Sequence, residues 1–171
     1  MHTIPFTTCA WFNKLAKDAK DKDVIVGGYQ LKTKRAQNEG FELSFEPSAP
    51  DTLRFTLVTQ NIKCKRMQKI VKAKIPGSVG SWHHVAGVYN KQTGKQMLYV
   101  DGKLVGTATH PADNTVLSLT RYPGMNIGCS LDLKGYYNGI IDDVRLYNRA
   151  LSEQEIHAII QEPLEPGFVP G

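Results

Sequence analysis

The sequence predicts an all-β domain, an antiparallel sandwich or barrel, on three observations. Strand-like runs recur every 8–15 residues along the 171-residue chain: Phe6–Asn13, Val24–Gln30, Gly40–Phe45, Thr52–Gln60, Lys69–Ile75, Ser81–Asn90, Gln96–Val100, Lys103–His110, Met125–Cys129 and Gly139–Tyr147. Turn dipeptides such as Pro76-Gly77, Thr93-Gly94, Asp101-Gly102 and Pro123-Gly124 separate them,. No long helical pattern lies between them, as a parallel α/β fold would require. The length suits one two-layer core. One domain over residues 1–161 is expected, and residues 162–171, with three prolines and two glycines, read as a linker or frayed end,.

Several elements carry more local detail. Along Ser81–Asn90, Trp82, His84, Ala86 and Val88 fall on one strand face, and His83, Val85, Gly87 and Tyr89 on the other,. Asp101-Gly102 between Met97–Val100 and Lys103–Thr107 is the pair that a two-residue type I′ hairpin prefers,. Regular alternation over Gly139–Tyr147 places Ile140, Asp142, Val144 and Leu146 together, an acid in a row of core residues. A carboxylate buried there needs a cation or a fixed donor. Ser152 and Glu155 form a capping box for a helix over Ser152–Gln161, with Ile156, Ile159 and Ile160 on one face,. A second helix is expected over Lys14–Lys22, with Leu15 and Ala19 at helical spacing.

The series SWHHVAGVYN (81–90), MLYVDGKLVGT (97–107) and GIIDDVRLYNRALSEQEI (139–156), with FTTCAWFN at 6–13, resembles the LamG-like jelly-roll domains of the concanavalin A-like superfamily. The match is strong over 81–160 and weak over 14–80. The resemblance implies a jelly-roll sandwich with a short C-terminal helix, and an extracellular or cell-surface setting within a larger assembly. It also implies a structural calcium ion held by the first acid of I-D-D-V, here Asp142. Members usually carry a further stretch before the F-T-x-x-A-W strand, where four residues precede Pro5 here. An open sheet edge beside Gly139–Tyr147 is therefore expected, covered by a second copy, by Met1–Pro5 or by the tail.

Composition narrows the function classes. At 41% apolar and 22% charged residues, the chain is neither disordered nor collagen-like. No apolar run reaches membrane-span length, and residues 1–12 lack the pattern of a signal peptide,. Cys9, Cys64 and Cys129 lack metal-type spacing, and an odd count leaves at least one thiol free,. A Cys9–Cys64 disulfide is compatible with the sequence. No nucleophile elbow, phosphate loop or zinc helix occurs,. Neither Asp142 with Asp143 nor Glu42 with Glu46 reads as a glycosidase pair: the first two point to opposite faces, and the second two fall at a strand end beside Pro47,.

A noncatalytic module binding a glycan or protein partner is the expected function, with a purely structural or oligomerising sandwich as the alternative class and a polysaccharide-active enzyme as the third. Trp11 and Trp82 read as core residues, so the loop aromatics Tyr122, Tyr136 and Tyr137, with Arg121, are the candidates for sugar contact,. The alternative role for Tyr137 is to anchor the strand entry at Gly139. A second candidate is electrostatic. Residues 61–80 hold Lys63, Lys65, Arg66, Lys69, Lys72 and Lys74 and no acid. Removing these six from twenty-one cations leaves fifteen against sixteen acids, so the net charge of +5 resides in this segment. Lys63, Lys65, Lys72 and Lys74 are expected to form one patch for a sulfated or acidic polysaccharide, and edge protection is the plainer reading. Nucleic acid is disfavoured because no aromatic residue interleaves with the charges.

Overall fold

The computed structural model describes residues 6–15, 23–28, 39–47, 49–112, 114–116, 124–130 and 133–162. It is a sandwich of two antiparallel sheets with one helix. The strands are β1 (Phe6–Lys14), β2 (Val24–Gly27), β3 (Phe41–Glu46), β4 (Ala49–Gln60), β5 (Arg66–Lys74), β6 (Trp82–Asn90), β7 (Lys95–Val100), β8 (Lys103–Thr109), β9 (Thr115–Val116), β10 (Asn126–Ile127) and β11 (Gly139–Tyr147); the helix α1 spans Glu153–Ile160. Sheet A runs β11-β1-β6-β7-β8. Sheet B runs β10-β2-β3-β4-β5, and β9 pairs with β4.

Strand alternation sets the core. Phe6, Ala10 and Phe12 of β1 and Val85 and Tyr89 of β6 meet Leu43, Phe45, Leu53, Phe55, Leu57 and Val71 of sheet B. Phe55 reaches across to Gly87, where a side chain would stand 2.8 Å from its ring. The opposite face of sheet A is buried too: Cys9, Ala86, Val88 and Tyr99 lie under Leu151, Ile156 and Ile159. That is why β6 reads as almost continuously apolar, since α1 covers what would otherwise be a solvent face. The expected capping box starts α1, with the Ser152 side chain accepting from the Glu155 N–H and the Glu155 carboxylate accepting from the Ser152 N–H,.

One expectation about elements fails. Lys14 does not begin a helix; it is the last residue of β1, paired with Gly139, and the Leu15 N–H donates to the Asn138 carbonyl. Residues 16–22 lie outside the described residues. The β9 pairing of Thr59 and Gln60 with Val116 and Thr115 was not foreseen, because two residues are too few to show periodicity.

β11 stands at the edge of sheet A, as expected, and among the described residues no strand pairs with its outer side. Residues 1–5 and 163–171, the named candidates to cover it, lie outside the described residues.

Candidate functional site

The connection from β10 to β11 is tied down at many points. Asn126 and Ile127 pair with Gly27 and Val26. Beyond them the Gly128 N–H donates to the Ile25 carbonyl and the Tyr137 N–H to the Gly128 carbonyl. Ser130 closes a turn: its N–H and its hydroxyl both donate to the Lys134 carbonyl, at 2.9 and 2.8 Å. The Asn126 amide then donates to the Ser130 carbonyl at 3.0 Å. Two adjacent tyrosines leave this loop in opposite directions. Tyr136 is 65% exposed. Tyr137 is half-buried and packs against the core, and burial, with Asp23 nearby, pushes its phenol pKa well above the ordinary value. Its ring lies so close to Gly139 that a side chain there would meet it at 2.6 Å. This packing matches the alternative role for Tyr137, anchoring the strand entry at Gly139. Arg121 and Tyr122 lie outside the described residues.

Asp142 is not on the core face. The pairing of β1 with β11 slips between Cys9 and Trp11, and Asp143 takes a left-handed conformation with φ 46°. The extra residue of this bulge flips the alternation, as bulges do. Ile141, not Asp142, joins Val144 against the core, and Asp142 pairs across to Trp11. One Asp142 oxygen accepts the Asp143 N–H at 2.7 Å, so a fixed donor answers the need for a partner. Asp143 accepts from Arg145 at 2.7 Å, and Arg145 also reaches Glu162 at 2.6 Å. These bonds, the one to Asp143 foremost, raise the Arg145 pKa further. Calcium takes six to eight oxygens. Here the adjoining carboxylate is committed to a guanidinium, and no group of three or more His, Cys, Asp or Glu gathers among the described residues. The surroundings of Asp142 do not fit the expected calcium ion.

The basic segment divides. Lys63 and Lys65 lie exposed in the β4–β5 turn, whereas Lys72 and Lys74 are at the other end of β5. Seven residues of extended chain separate Lys65 from Lys72, roughly 23 Å, so the single expected patch is not formed. Lys72 is paired with Glu46 at 2.5 Å, and that bond holds the Glu46 pKa below its ordinary value. Strand β5 is the edge of sheet B, where lysines protect against edge pairing.

Glu46 is the last residue of β3, at the strand end beside Pro47 as expected, and Glu42 is the second residue, near the other end. Four residues of strand separate them by roughly 13 Å, beyond the reach of a glycosidase pair at about 5–9.5 Å. Beside them on the outward face of sheet B, the Ser44 and Thr56 hydroxyls are buried with no hydrogen-bond partner among the described residues. Alternation could have placed these two on one face; no sequence signal marks them as unpaired.

The three cysteines are free. Cys9 is buried, which raises its thiol pKa to about 11, and Cys64 is exposed in the β4–β5 turn, so the two do not pair.

A family model described as the concanavalin A-like lectin/glucanases superfamily matches residues 1–157. The chain belongs to that superfamily. The sandwich also resembles the CBM40 domain of the Ruminococcus gnavus IT-sialidase, with a TM-score of 0.70 and 16% identity over 92% of this chain and 83% of that one. The same domain bound to alpha2,3 sialyllactose gives 0.67 and 18% over the same shares. Among curated proteins, the pentraxin-related protein PTX3 of Mus musculus is 28% identical over 88 residues, 47% of this chain. The chain spans only 23% of that relative's length. The relationship thus covers sheets A and B and most of α1. The jelly-roll fold expected from the motifs is the fold observed. No helix among the described residues is long and apolar enough to cross a membrane.

Proposed function

We propose that this member of the superfamily is a noncatalytic glycan-recognition module with Tyr136 as its stacking platform. The observation that carries the reading is the exposed Tyr136 ring on a loop whose backbone is fixed by the bonds around Ser130 and Gly128. A preordered aromatic offers a sugar a large contact at low entropic cost. The sialyllactose-bound CBM40 of similar fold supports this ligand class. The wide spacing of Glu42 and Glu46, and the ion pair that keeps Glu46 charged, favour binding over hydrolysis. An extracellular or cell-surface glycan, displayed to a larger assembly, is the natural partner.

A glycan array on the full chain tests this. Tyr136→Ala should reduce binding to any retained glycan by roughly tenfold, the worth of one stacked ring, and Tyr136→Trp should preserve it. An array with no binding even at low salt would return the domain to a structural or oligomerising role.

The donor set at Asp142 gives a second expectation. A ligand that binds only the native state raises the melting temperature by mass action. Millimolar calcium or a chelator should leave the melting curve unmoved, and a calcium-dependent shift abolished by Asp142→Ala would restore the ion.

A further inference from the structure

We propose that the tip of the β4–β5 hairpin, Ile62 with Lys63 and Lys65, docks on an anionic lipid surface. Single exposed apolar residues are common and need no explanation, so the case rests on what surrounds this one. Ile62 is 96% exposed, and Lys63, Cys64 and Lys65 beside it are exposed as well. The turn is preformed. The Cys64 N–H donates to the Asn61 carbonyl at 3.0 Å and the Asn61 N–H to the Lys65 carbonyl at 3.1 Å. The Asn61 side-chain oxygen accepts from the Lys63 and Lys65 N–H groups at 3.0 and 2.9 Å. Cys64 completes the turn in the left-handed region, with φ 61°. Isoleucine is therefore presented by rigid backbone at the end of the longest strand, β4, rather than by a loop that could fold it away.

The charges point the same way. Lys63 and Lys65 are exposed beside Ile62, and no acid occurs between Asn61 and Gly80. Basic side chains within a Debye length of an anionic leaflet are attracted to it, and an apolar tip can then enter the headgroup boundary. A sulfated polysaccharide would use the lysines but gain nothing from a bare isoleucine. The apolar tip with its cationic collar therefore favours lipid. The inference does not rest on the glycan reading, because Tyr136 follows β10 and the hairpin adjoins β5, the two opposite edges of sheet B.

The test is cosedimentation of the full chain with phosphatidylcholine vesicles, with and without phosphatidylserine, beside retention on a heparin column. The expected result is binding that requires phosphatidylserine and fades as salt rises. Ile62→Ser should lower the bound fraction roughly tenfold while leaving heparin retention unchanged, and Lys63→Glu with Lys65→Glu should lower both. Lys95→Glu with Lys103→Glu, the same charge change on sheet A, should alter vesicle binding by less than about twofold. All are surface positions, and melting curves verify folding. The proposal is overturned if the protein ignores phosphatidylserine vesicles at low salt. It is equally overturned if both charge-reversed pairs lose binding alike, or if Ile62→Ser binds vesicles as the parent does. In the last case, heparin retention lost only with Lys63 and Lys65 would assign the tip to a sulfated polysaccharide.

Discussion

Replacing Lys14 by methionine should destabilise the domain by about 3–5 kcal/mol, the usual cost of removing one partner of a buried ion pair. Lys14 is wholly buried. Its ammonium lies 2.8 Å from the Asp23 carboxylate, donates to the Pro50 carbonyl at 2.9 Å, and stands 4.1 Å from the centre of the Phe45 ring. Methionine fills nearly the same volume, so lost packing contributes little. The dominant cost is Asp23, itself buried, which would keep a charge with no counter-ion. Replacing Asp23 by asparagine as well should recover much of the loss, since neither charge then remains. Urea unfolding of the three variants measures this. A single-variant loss under about 1 kcal/mol, or no recovery in the double variant, would show that the pair is not coupled as the geometry requires.

Lys14 also shows what the sequence could and could not disclose. The strands were legible because period-two alternation and Gly or Pro turns recur through the chain, and the helix because Ser152 and Glu155 announce its start. Lys14 itself was misread: it precedes a run of charged residues, so it resembled a surface helix. Its true position follows from the phase of β1, in which Phe6, Ala10, Phe12 and Lys14 share the inward face. A lysine is accepted there only because Asp23, nine residues later, folds back to meet it, and no local rule reports such a pairing. Asp142 failed for a related reason. Alternation extrapolated through Gly139–Tyr147 has no knowledge of the bulge at Asp143, and one extra residue reverses every assignment on one side of it. Of the candidate site, the loop tyrosines were found by residue type and turn context. Which of Tyr136 and Tyr137 faces water depended on backbone bonds that appear only in three dimensions.

Acid should unfold the domain over the interval in which histidine ordinarily titrates. Burial lowers the pKa of both His84 and His110 to about 4, against about 6.5 in the unfolded chain. For His84 the attraction of Asp101 and Asp143 offsets burial only in part; for His110 the charge of Lys69 adds to it. Between these values the unfolded state binds more protons than the folded one, so stability falls as pH falls from about 6.5 to about 4 and levels off below. Each histidine contributes a loss of about 2 kcal/mol by pH 5 and about 3 at the limit, together a large part of an ordinary domain's stability. The two sites differ in what replaces them. Among the described residues both ring nitrogens of His84 lack a hydrogen-bond partner, and its ring meets Trp11 edge-on at 5.4 Å. His84→Leu should therefore be nearly neutral at pH 7.5 and flatten the acid slope. His110 sits in a closed network. Gln96 donates its amide to the Phe55 carbonyl, so its oxygen faces the His110 Nε2–H at 2.8 Å, and Nδ1 accepts from the Thr59 hydroxyl at 2.8 Å. Asn114 also donates to that hydroxyl. An apolar residue at position 110 would strand Thr59 and Gln96, so His110→Leu should lose about 2 kcal/mol or more at every pH. Thermal melts of the three proteins from pH 7.5 to 4.5 decide it. If His84→Leu keeps the parent's acid slope, the slope comes from elsewhere in the chain and the assignment to His84 is wrong.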